Sequence, residues 1–210
     1  MIKINNNLLD EFRNSSSKIL AVTKYLDKNN TEIVMRELED LYPDILMWVW
    51  ENRIESLKEK NLDREKVHFI WNIQSKQIKD IIKYSSTIHS LDDIKHLKKI
   101  EDIAWKQWNW VQVFLQINVD STKPWWIDPD TIPTFLDLVW EMENVSLIWF
   151  SAIWKSECSK SEKGAEFDLL ISLRNKYLQN WFVSAGTSRD YKIAIEKWVD
   201  IVRVGTKLYE

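Results

Sequence analysis

Glycine is the residue that this sequence lacks most clearly. The 210-residue chain contains only 3 glycines, about 1.4%, whereas globular proteins average about 7%. The chain also contains 13 tryptophans, and tryptophan and glycine together amount to about 7.6% of it. That sum is ordinary for glycine alone, which suggests that many of the tryptophans occupy positions where the backbone needs glycine.

Other absences limit the class of protein. Cys158 is the only cysteine, so no internal disulfide is possible, which is typical of a reducing cytoplasm. The net charge is only −3, so no bulk basic charge attracts nucleic acid or a membrane surface. No apolar run approaches the roughly 18 residues of a membrane span, and MIKINNNLLDEFR lacks the apolar core of a signal peptide. We therefore expect a cytoplasmic protein that binds neither nucleic acid nor membrane.

Common catalytic and metal-binding patterns are also missing. His68, His89 and His96 show no metal-ligand spacing with one another or with Cys158. No arrangement of serine, histidine and aspartate suggests a nucleophilic triad. We expect no metal site.

Short β-rich runs alternate with amphipathic helical stretches along the chain. Several of the runs are continuously apolar, as strands buried on both faces are. The eight predicted strands are residues 19–24, 45–50, 67–71, 86–90, 111–119, 145–153, 182–186 and 200–205. This alternation predicts an α/β fold, a single (β/α)8 TIM barrel of near-minimal size that comprises residues 1–210 as one domain. A helix over about residues 6–16 is expected to cover the barrel beside strand 8, and an open doubly wound sheet is the alternative.

Candidate site residues lie at the carboxyl ends of the predicted strands, where barrels of this kind bind their ligands. Small residues and hydroxyls follow strands 7 and 8, as at a barrel phosphate site, and we expect backbone N–H groups of AGTS to face the phosphate. Lys24 ends the apolar first strand, and a lysine at a barrel mouth can form an imine. Two ordinary turns and a solvated lysine are the other interpretations. A carbonyl compound that bears a phosphate explains both features, and pyridoxal phosphate is the obvious candidate.

The strand-end motifs also carry a family resemblance. In chain order they are AVTK, ENR, HFIWNIQSK, IHSLD, QINV, VSAGTSRDYKIAI and VRVGT, between about residue 5 and residue 210. Together they resemble the pyridoxal phosphate homeostasis proteins, which are single-domain relatives of the N-terminal barrel of bacterial alanine racemase.

This resemblance implies a role for each site residue. Lys24 would carry pyridoxal 5'-phosphate as a Schiff base, Arg203 would lie against the pyridine nitrogen, and Asn52 would sit near the imine. The remaining residues would hold the phosphate: Gly186, Ser188, Gly205 and Thr206. The family usually has Met where Ser151 and Thr187 stand here, so the local packing at these two positions is expected to differ.

The resemblance further implies a carrier that maintains the intracellular supply of the cofactor, not an enzyme, and it implies no catalytic residue. Arginine stays protonated, so it cannot hand a proton to the pyridine nitrogen, and an unprotonated ring is a weak electron sink. We also expect no second domain of the kind that supplies the racemase with its opposing tyrosine. Expected partners are the cofactor and recipient apo-enzymes, and a monomer is expected. The alternatives are a racemase or Schiff-base aldolase, and an aromatic-rich binding module with its indoles clustered on one exposed face.

Tryptophan stands at several positions where this family has glycine: Trp50, Trp71, Trp149 and Trp198. The contexts of Trp125, Trp126 and Trp181 also favour glycine, at a turn and at a helix end. Some bacterial lineages read UGA as glycine, whereas a commoner alternative code reads it as tryptophan. We therefore predict that most or all of the tryptophan codons are UGA. Taken literally, the indoles would hinder both folding and cofactor binding.

Overall fold

The computed structural model describes residues 2–119, 126–152, 159–177 and 182–209, apart from the side chain of Trp149. Eight parallel strands follow one another in chain order around a closed barrel, and the first strand pairs with the last. The strands are β1 (Lys18–Val22), β2 (Leu46–Glu51), β3 (Val67–Phe69), β4 (Thr87–Leu91), β5 (Val111–Gln116), β6 (Val145–Ser151), β7 (Phe182–Thr187) and β8 (Ile201–Val204). The predicted TIM barrel is confirmed. The open doubly wound sheet is wrong, because β1 and β8 are hydrogen-bonded to each other.

The described residues contain eight α-helices, one before β1 and one in each of the seven connections between strands. They are α1 (Asn6–Arg13), α2 (Lys28–Leu41), α3 (Ile54–Lys60), α4 (Ile78–Tyr84), α5 (Ile94–Gln107), α6 (Ile132–Trp140), α7 (Lys160–Tyr177) and α8 (Tyr191–Glu196). Side-chain caps begin several of them: Asp27 accepts the N–H of Asn30 at α2, and Ser159 and Glu162 form a reciprocal capping box at α7. No helix in these residues is long and apolar enough to cross a membrane.

The predicted N-terminal helix is confirmed as α1, although it ends at Arg13. Its apolar residues Leu8 and Phe12 are buried. Phe12 stacks on Tyr191 of α8 with ring centroids 5.8 Å apart, and the Tyr191 hydroxyl donates to Glu11 at 3.1 Å. The helix therefore covers the barrel beside α8, as the sequence predicts.

Apolar side chains form two layers of core. The larger layer lies between the strands and the surrounding helices. A smaller cluster lies inside the barrel and consists of Leu20, Ile70, Phe114 and Ile201. These four side chains come from four different parts of the barrel, so they close its interior beneath the carboxyl ends of the strands.

Left-handed backbone conformation coincides with tryptophan in this fold. Five residues other than glycine have positive φ in the described part of the chain. Four of them are tryptophans: Trp48 (74°), Trp108 (54°), Trp126 (76°) and Trp198 (58°). Residues with a bulky side chain rarely adopt this region, whereas glycine adopts it freely. The backbone at these positions therefore has the geometry that glycine favours, while the codon explanation stays a prediction.

Two of these tryptophans terminate helices. Trp198 follows α8, where its N–H bonds the carbonyl of Ile195 at 3.1 Å and the next N–H, of Val199, bonds that of Ala194 at 3.0 Å. Trp108 follows α5 and makes the same pair of bonds with the preceding turn. This is the Schellman motif, whose left-handed residue is usually glycine. The same tryptophans are 69% and 92% exposed, so the indoles gain little burial there.

Trp48 produces a bulge in β2. Ile19 of β1 pairs with Leu46, but Ala21 pairs with Val49, so β2 has one residue more than β1 over this interval. The extra residue changes the alternation of side chains along the strand. As a result Met47 and Trp50, three residues apart, both pack against the cluster inside the barrel.

Candidate functional site

The mouth of the barrel carries Lys24 in the turn two residues after β1. The side chain is half-buried, and its Nζ lies 5.0 Å from the centroid of the Tyr25 ring and 5.1 Å from that of the Trp50 ring. The predicted imine lysine is therefore at the mouth, where it contacts an aromatic ring from the neighbouring strand.

A buried ion pair holds the backbone just before Lys24. The Nζ of Lys60 lies 2.5 Å from Glu51 Oε1 and donates to the carbonyl of Thr23 at 2.8 Å. The Thr23 hydroxyl donates to the same carboxylate at 2.6 Å, and Ser56 donates to its other oxygen at 2.7 Å. Lys60 and Glu51 are both almost fully buried. The attraction within a buried ion pair offsets the cost of desolvation only when hydrogen bonds satisfy the remaining polar atoms of the pair, as they do here. This network also holds the end of β1 in place.

Tyr209 holds the preceding residue of the same strand end. Its hydroxyl donates to the carbonyl of Val22 at 3.0 Å. Burial, and then the charge of Glu51, raise the pKa of Tyr209 above its usual value, so the phenol keeps its proton. The carbonyls of the two residues before Lys24 are thus both bound by side chains.

Arg203 of β8 lies inside the barrel and is 2% exposed. Its Nη2 donates to the carbonyl of Ala152 at 2.6 Å, and its Nε donates to that of Gly186 at 3.4 Å. Burial lowers the pKa of Arg203 to about 10, against the opposing charge of Asp190, so the guanidinium stays protonated at neutral pH. Its Nη1 is buried and has no hydrogen-bond partner among the described residues. Because an unsatisfied buried donor is costly, this atom is a candidate ligand contact.

Two of the predicted phosphate residues form a hydrogen bond between the end of β7 and the end of β8. Ser188 Oγ accepts the N–H of Gly205 at 3.1 Å. Thr206 follows in an exposed turn. Gly186 has φ +83°, and a Cβ there would lie 2.9 Å from Cβ of Ala194, so only glycine suits this position. The two strand ends lie close together at Gly205, since a Cβ there would lie only 3.0 Å from Cβ of Val22.

One part of the predicted phosphate contact is wrong. The N–H of Thr187 donates to Asp190 Oδ1 at 2.6 Å, and the Thr187 hydroxyl donates to the same atom at 2.9 Å. That N–H is therefore not free for a phosphate. Asp190 is itself buried and paired with Lys163 Nζ at 3.1 Å. No sequence pattern indicates this turn, because an aspartate three residues after a threonine is common in loops.

Asn52 lies just after β2, beside a cavity of about 220 Å³ that Trp71, Asn72 and Gln74 also line. Its Oδ1 is buried, with no hydrogen-bond partner in the part of the chain that the structure describes. The residue is thus at the mouth with an acceptor atom available, while its predicted place near an imine stays a prediction.

Two histidines lie inside the barrel beneath the mouth. Nδ1 of His68 and Nε2 of His89 are 2.7 Å apart, and the His89 ring stacks on Phe114 with centroids 3.6 Å apart. Burial lowers the pKa of His68 to about 3. Burial, followed by the charges of His68 and Arg203, lowers the pKa of His89 well below its usual value. Both rings are therefore neutral, and the N–H of one ring donates a hydrogen bond to the unprotonated nitrogen of the other.

Sequence reasoning missed this pair and the buried lysine. The histidines are 21 residues apart, and only the barrel brings their strands together. Lys60 has the same local sequence character as the partly exposed Lys58, so no pattern distinguishes it. Across the described ranges, no group of three or more histidine, cysteine, aspartate and glutamate side chains could hold a metal ion. Cys158, Trp125, Trp154 and Trp181 lie outside the described residues.

The polar groups fit pyridoxal phosphate, but the space between them does not. Lys24, the unpartnered nitrogen of Arg203 and the hydroxyl of Ser188 provide an amine, a cation and a phosphate donor of the right types. However, the Trp50 ring lies within 5.1 Å of Lys24 Nζ and 5.9 Å of Arg203 Cζ, measured from its centroid. The same indole thus contacts both groups that a cofactor ring would have to reach.

The exposed indoles do not form one aromatic face. Trp71 lies at the mouth, after β3, and is 53% exposed. Trp108 and Trp110 precede β5 and therefore lie at the opposite end of the barrel. This distribution does not support the aromatic-rich binding module.

Comparison with known structures first defines a class. PipY of Synechococcus elongatus, solved with PLP bound, aligns with 97% of this chain and 99% of its own at a TM-score of 0.79 and 20% identity. An alanine racemase of Clostridium difficile aligns with 99% of this chain and 57% of its own at a TM-score of 0.70 and 15% identity. The chain therefore has the barrel fold that is common to PipY and to part of alanine racemase.

Sequence comparison then defines the family. A protein of Aquifex aeolicus named pyridoxal phosphate homeostasis protein is 31% identical over 172 residues, which cover 76% of this chain and 74% of that protein. This chain belongs to the pyridoxal phosphate homeostasis protein family. Two further relatives of that name match over 62% and 63% of their own lengths. No family model matches the chain.

Proposed function

We propose that this chain binds pyridoxal 5'-phosphate at the mouth of the barrel and contributes to the homeostasis of that cofactor. The observation that carries the proposal is the convergence of Lys24 and the buried Arg203 on the same part of the mouth, where both lie within about 6 Å of the centroid of the Trp50 ring. Family membership supports it, as does the PLP bound in PipY, a structure with the same fold. Residues 1–210 would act as one cofactor-binding domain.

Each predicted residue has a defined part in this proposal. Bound cofactor supplies an aldehyde that a lysine amine can capture, and Lys24 is the amine at the mouth. Arg203 would donate a hydrogen bond from Nη1 to an acceptor on the cofactor ring. Asn52 would contribute its unpartnered Oδ1 near Lys24. The phosphate would be held at the ends of β7 and β8: Gly186, Ser188, Gly205 and Thr206.

The proposed role is a carrier and not a catalyst. With a pKa of about 10, Arg203 keeps its proton at neutral pH, so it offers a hydrogen bond without protonating a ring nitrogen. Glu51, the carboxylate below Lys24, is bound by Lys60, Thr23 and Ser56, which leaves it poorly suited to move protons at the mouth. The proposed partners are therefore the cofactor and recipient apo-enzymes in the cytoplasm, and the proposed state is a monomer.

Chemical trapping tests this function. The chain as written and its Trp50→Gly variant are each mixed with pyridoxal phosphate, reduced with borohydride and mapped by peptide mass spectrometry. Label is expected on Lys24, and Lys24→Ala should abolish it, whereas the matched variant Lys76→Ala should not. The proposal fails if Lys24 is labelled in neither protein, or if the label lies on Lys76. Racemisation of amino acids at enzymatic rates would overturn the carrier role alone.

A further inference from the structure

Trp50 has a position in the barrel that no other described tryptophan shares. Its side chain packs against the interior cluster of Leu20, Ile70, Phe114 and Ile201. Its indole Nε1 donates to the carbonyl of Ile70 at 3.0 Å. An indole that is both packed and hydrogen-bonded keeps a defined orientation, so this ring is a fixed part of the mouth.

The fixed ring contacts two cations from different strands. Nζ of Lys24, after β1, lies 5.1 Å from its centroid, and Cζ of Arg203, on β8, lies 5.9 Å from it. Both distances are typical of cation–π contact. The indole therefore occupies the space that these two groups share, and that space has the size and the planar shape of an aromatic ring.

The backbone at residue 50 does not itself require glycine, because Trp50 lacks the positive φ of Trp48, Trp108, Trp126 and Trp198. Whatever residue stands there affects the mouth through its side chain alone. A substitution at this position can thus open the space between Lys24 and Arg203 without relieving or creating backbone strain.

We infer that residue 50 determines how readily the mouth admits a planar aromatic ligand with a carbonyl group and an anionic arm, and that the indole of Trp50 restricts the entry of this ligand. The inference rests on the proposed function, since it names the residue that controls access to the same site. A chain with glycine at position 50 has the space for the ligand ring, whereas the chain with tryptophan has that space filled by its own indole.

The test compares four proteins: the chain as written, Trp50→Gly, Trp50→Phe and Trp140→Gly. Trp140 is 82% exposed at the end of α6, so its replacement is the matched control for loss of an indole far from the mouth. The probe is pyridoxal phosphate, and the readouts are its dissociation constant and the fraction of Lys24 labelled after borohydride reduction. Thermal unfolding of each protein, with and without the probe, reports whether it is folded.

Trp50→Gly should bind the probe about tenfold or more tightly than the chain as written, because the indole no longer clashes with the ring of the probe. Trp50→Phe should stay close to the chain as written, and Trp140→Gly should match it. If Trp50→Gly does not fold, Trp50→Ala replaces it, with the same direction of effect expected.

The outcomes separate this inference from the proposed function. Equal labelling of Lys24 in the chain as written and in Trp50→Gly overturns the inference and leaves the proposed function standing. Tighter binding by Trp140→Gly as well as by Trp50→Gly also overturns it, because the effect would not be specific to the mouth. Absence of label on Lys24 in every folded protein overturns the proposed function and, with it, the inference.

Discussion

Two buried cations lie on opposite sides of the closure between β1 and β8, and they are satisfied in different ways. Lys60, on the β1–β2 side, is neutralised by the carboxylate of Glu51 and also bonds a carbonyl. Arg203, on the β7–β8 side, is held by two carbonyls, and no carboxylate among the described residues bonds it. One of its nitrogens remains without a partner there. The difference indicates that Lys60 serves the structure, whereas Arg203 retains the unsatisfied donor that the proposed ligand contact requires.

The two sides also differ in the residue that occupies a strand position with positive φ. On the β7–β8 side, Gly186 has φ +83° inside a strand and no room for a Cβ. On the β1–β2 side, Trp48 has φ 74° inside a strand. The backbone therefore adopts nearly the same left-handed conformation on both sides, but the residue in that conformation is glycine on the β7–β8 side only.

The largest effect is expected from removing the structural cation. Lys60→Met leaves the buried carboxylate of Glu51 without its partner and should lower the free energy of unfolding by about 3–5 kcal/mol. Denaturant unfolding measures the loss. The double variant Glu51→Gln/Lys60→Met should recover most of it, since no unpaired charge then remains.

Arg203→Met is the matched variant on the other side. It removes a buried charge that no described carboxylate bonds, so the free energy of unfolding should change by less than about 1 kcal/mol while cofactor binding weakens. An Arg203→Met protein as unstable as Lys60→Met would show that the two cations have the same role.

The second prediction compares the two positions of positive φ. Gly186→Ala should destabilise the protein by about 3 kcal/mol, because it adds both left-handed strain and a contact at 2.9 Å to Ala194. Trp48→Gly should have the opposite sign. Urea unfolding of the two variants checks this, and a stabilising Gly186→Ala would contradict the comparison.

The third prediction concerns the neutral histidines beneath both sides. Their folded pKa values lie below the ordinary 6.5, so the unfolded chain binds protons that the folded chain cannot. Stability should therefore be complete above pH 6.5 and fall below it, by about 1.4 kcal/mol per pH unit for His68 down to about pH 3, and His89 should contribute in the same direction. Unfolding free energies at pH 7, 6 and 5 measure the slope.

Variants of the histidines and the two cations sharpen this third test. His68→Gln should reduce the slope. Arg203→Met should raise the pKa of His89, because the arginine charge is one of its causes, whereas Lys60→Met should leave it unchanged. An equal response to both cation variants would remove the distinction between the two sides.

The smallest effect is expected at the helix ends. Trp198→Gly should stabilise the protein by about 1 kcal/mol, because glycine has no left-handed penalty in the Schellman motif. Trp105→Gly is the control, since Trp105 lies within α5, where glycine costs about 1 kcal/mol relative to alanine. Thermal unfolding distinguishes the two signs.

The codons supply an independent measurement of the same point. UGA at most or all of the 13 tryptophan positions, together with glycine masses in peptides of the native protein, is the expected result. UGG codons would contradict it, and the left-handed tryptophans would then need a structural reason.

The fold could be predicted because apolar runs and helical periodicity alternate along the whole chain, and such a pattern closes into a barrel. Lys24, Ser188 and Gly205 could be placed at the mouth because strand ends converge there, whereas Arg203 was expected there only from the family resemblance. The partners of these residues could not be predicted. The Lys60–Glu51 pair and the His68–His89 pair depend on side-chain packing between elements, which periodicity does not encode. The turn between Thr187 and Asp190 was missed because it uses a backbone N–H that the sequence assigns to no partner.

The bulge at Trp48 acts as a phase shift in β2. If the same residues alternated strictly from Met47 with no bulge, Val49 and Glu51 would point into the barrel and Trp50 would point toward the helices. Glu51 could then no longer meet Lys60 on α3. Removal of Trp48 alone would instead restore regular alternation without exchanging the faces of the strand end, because Ile19 and Ala21 would then pair with residues that are also two apart on β2.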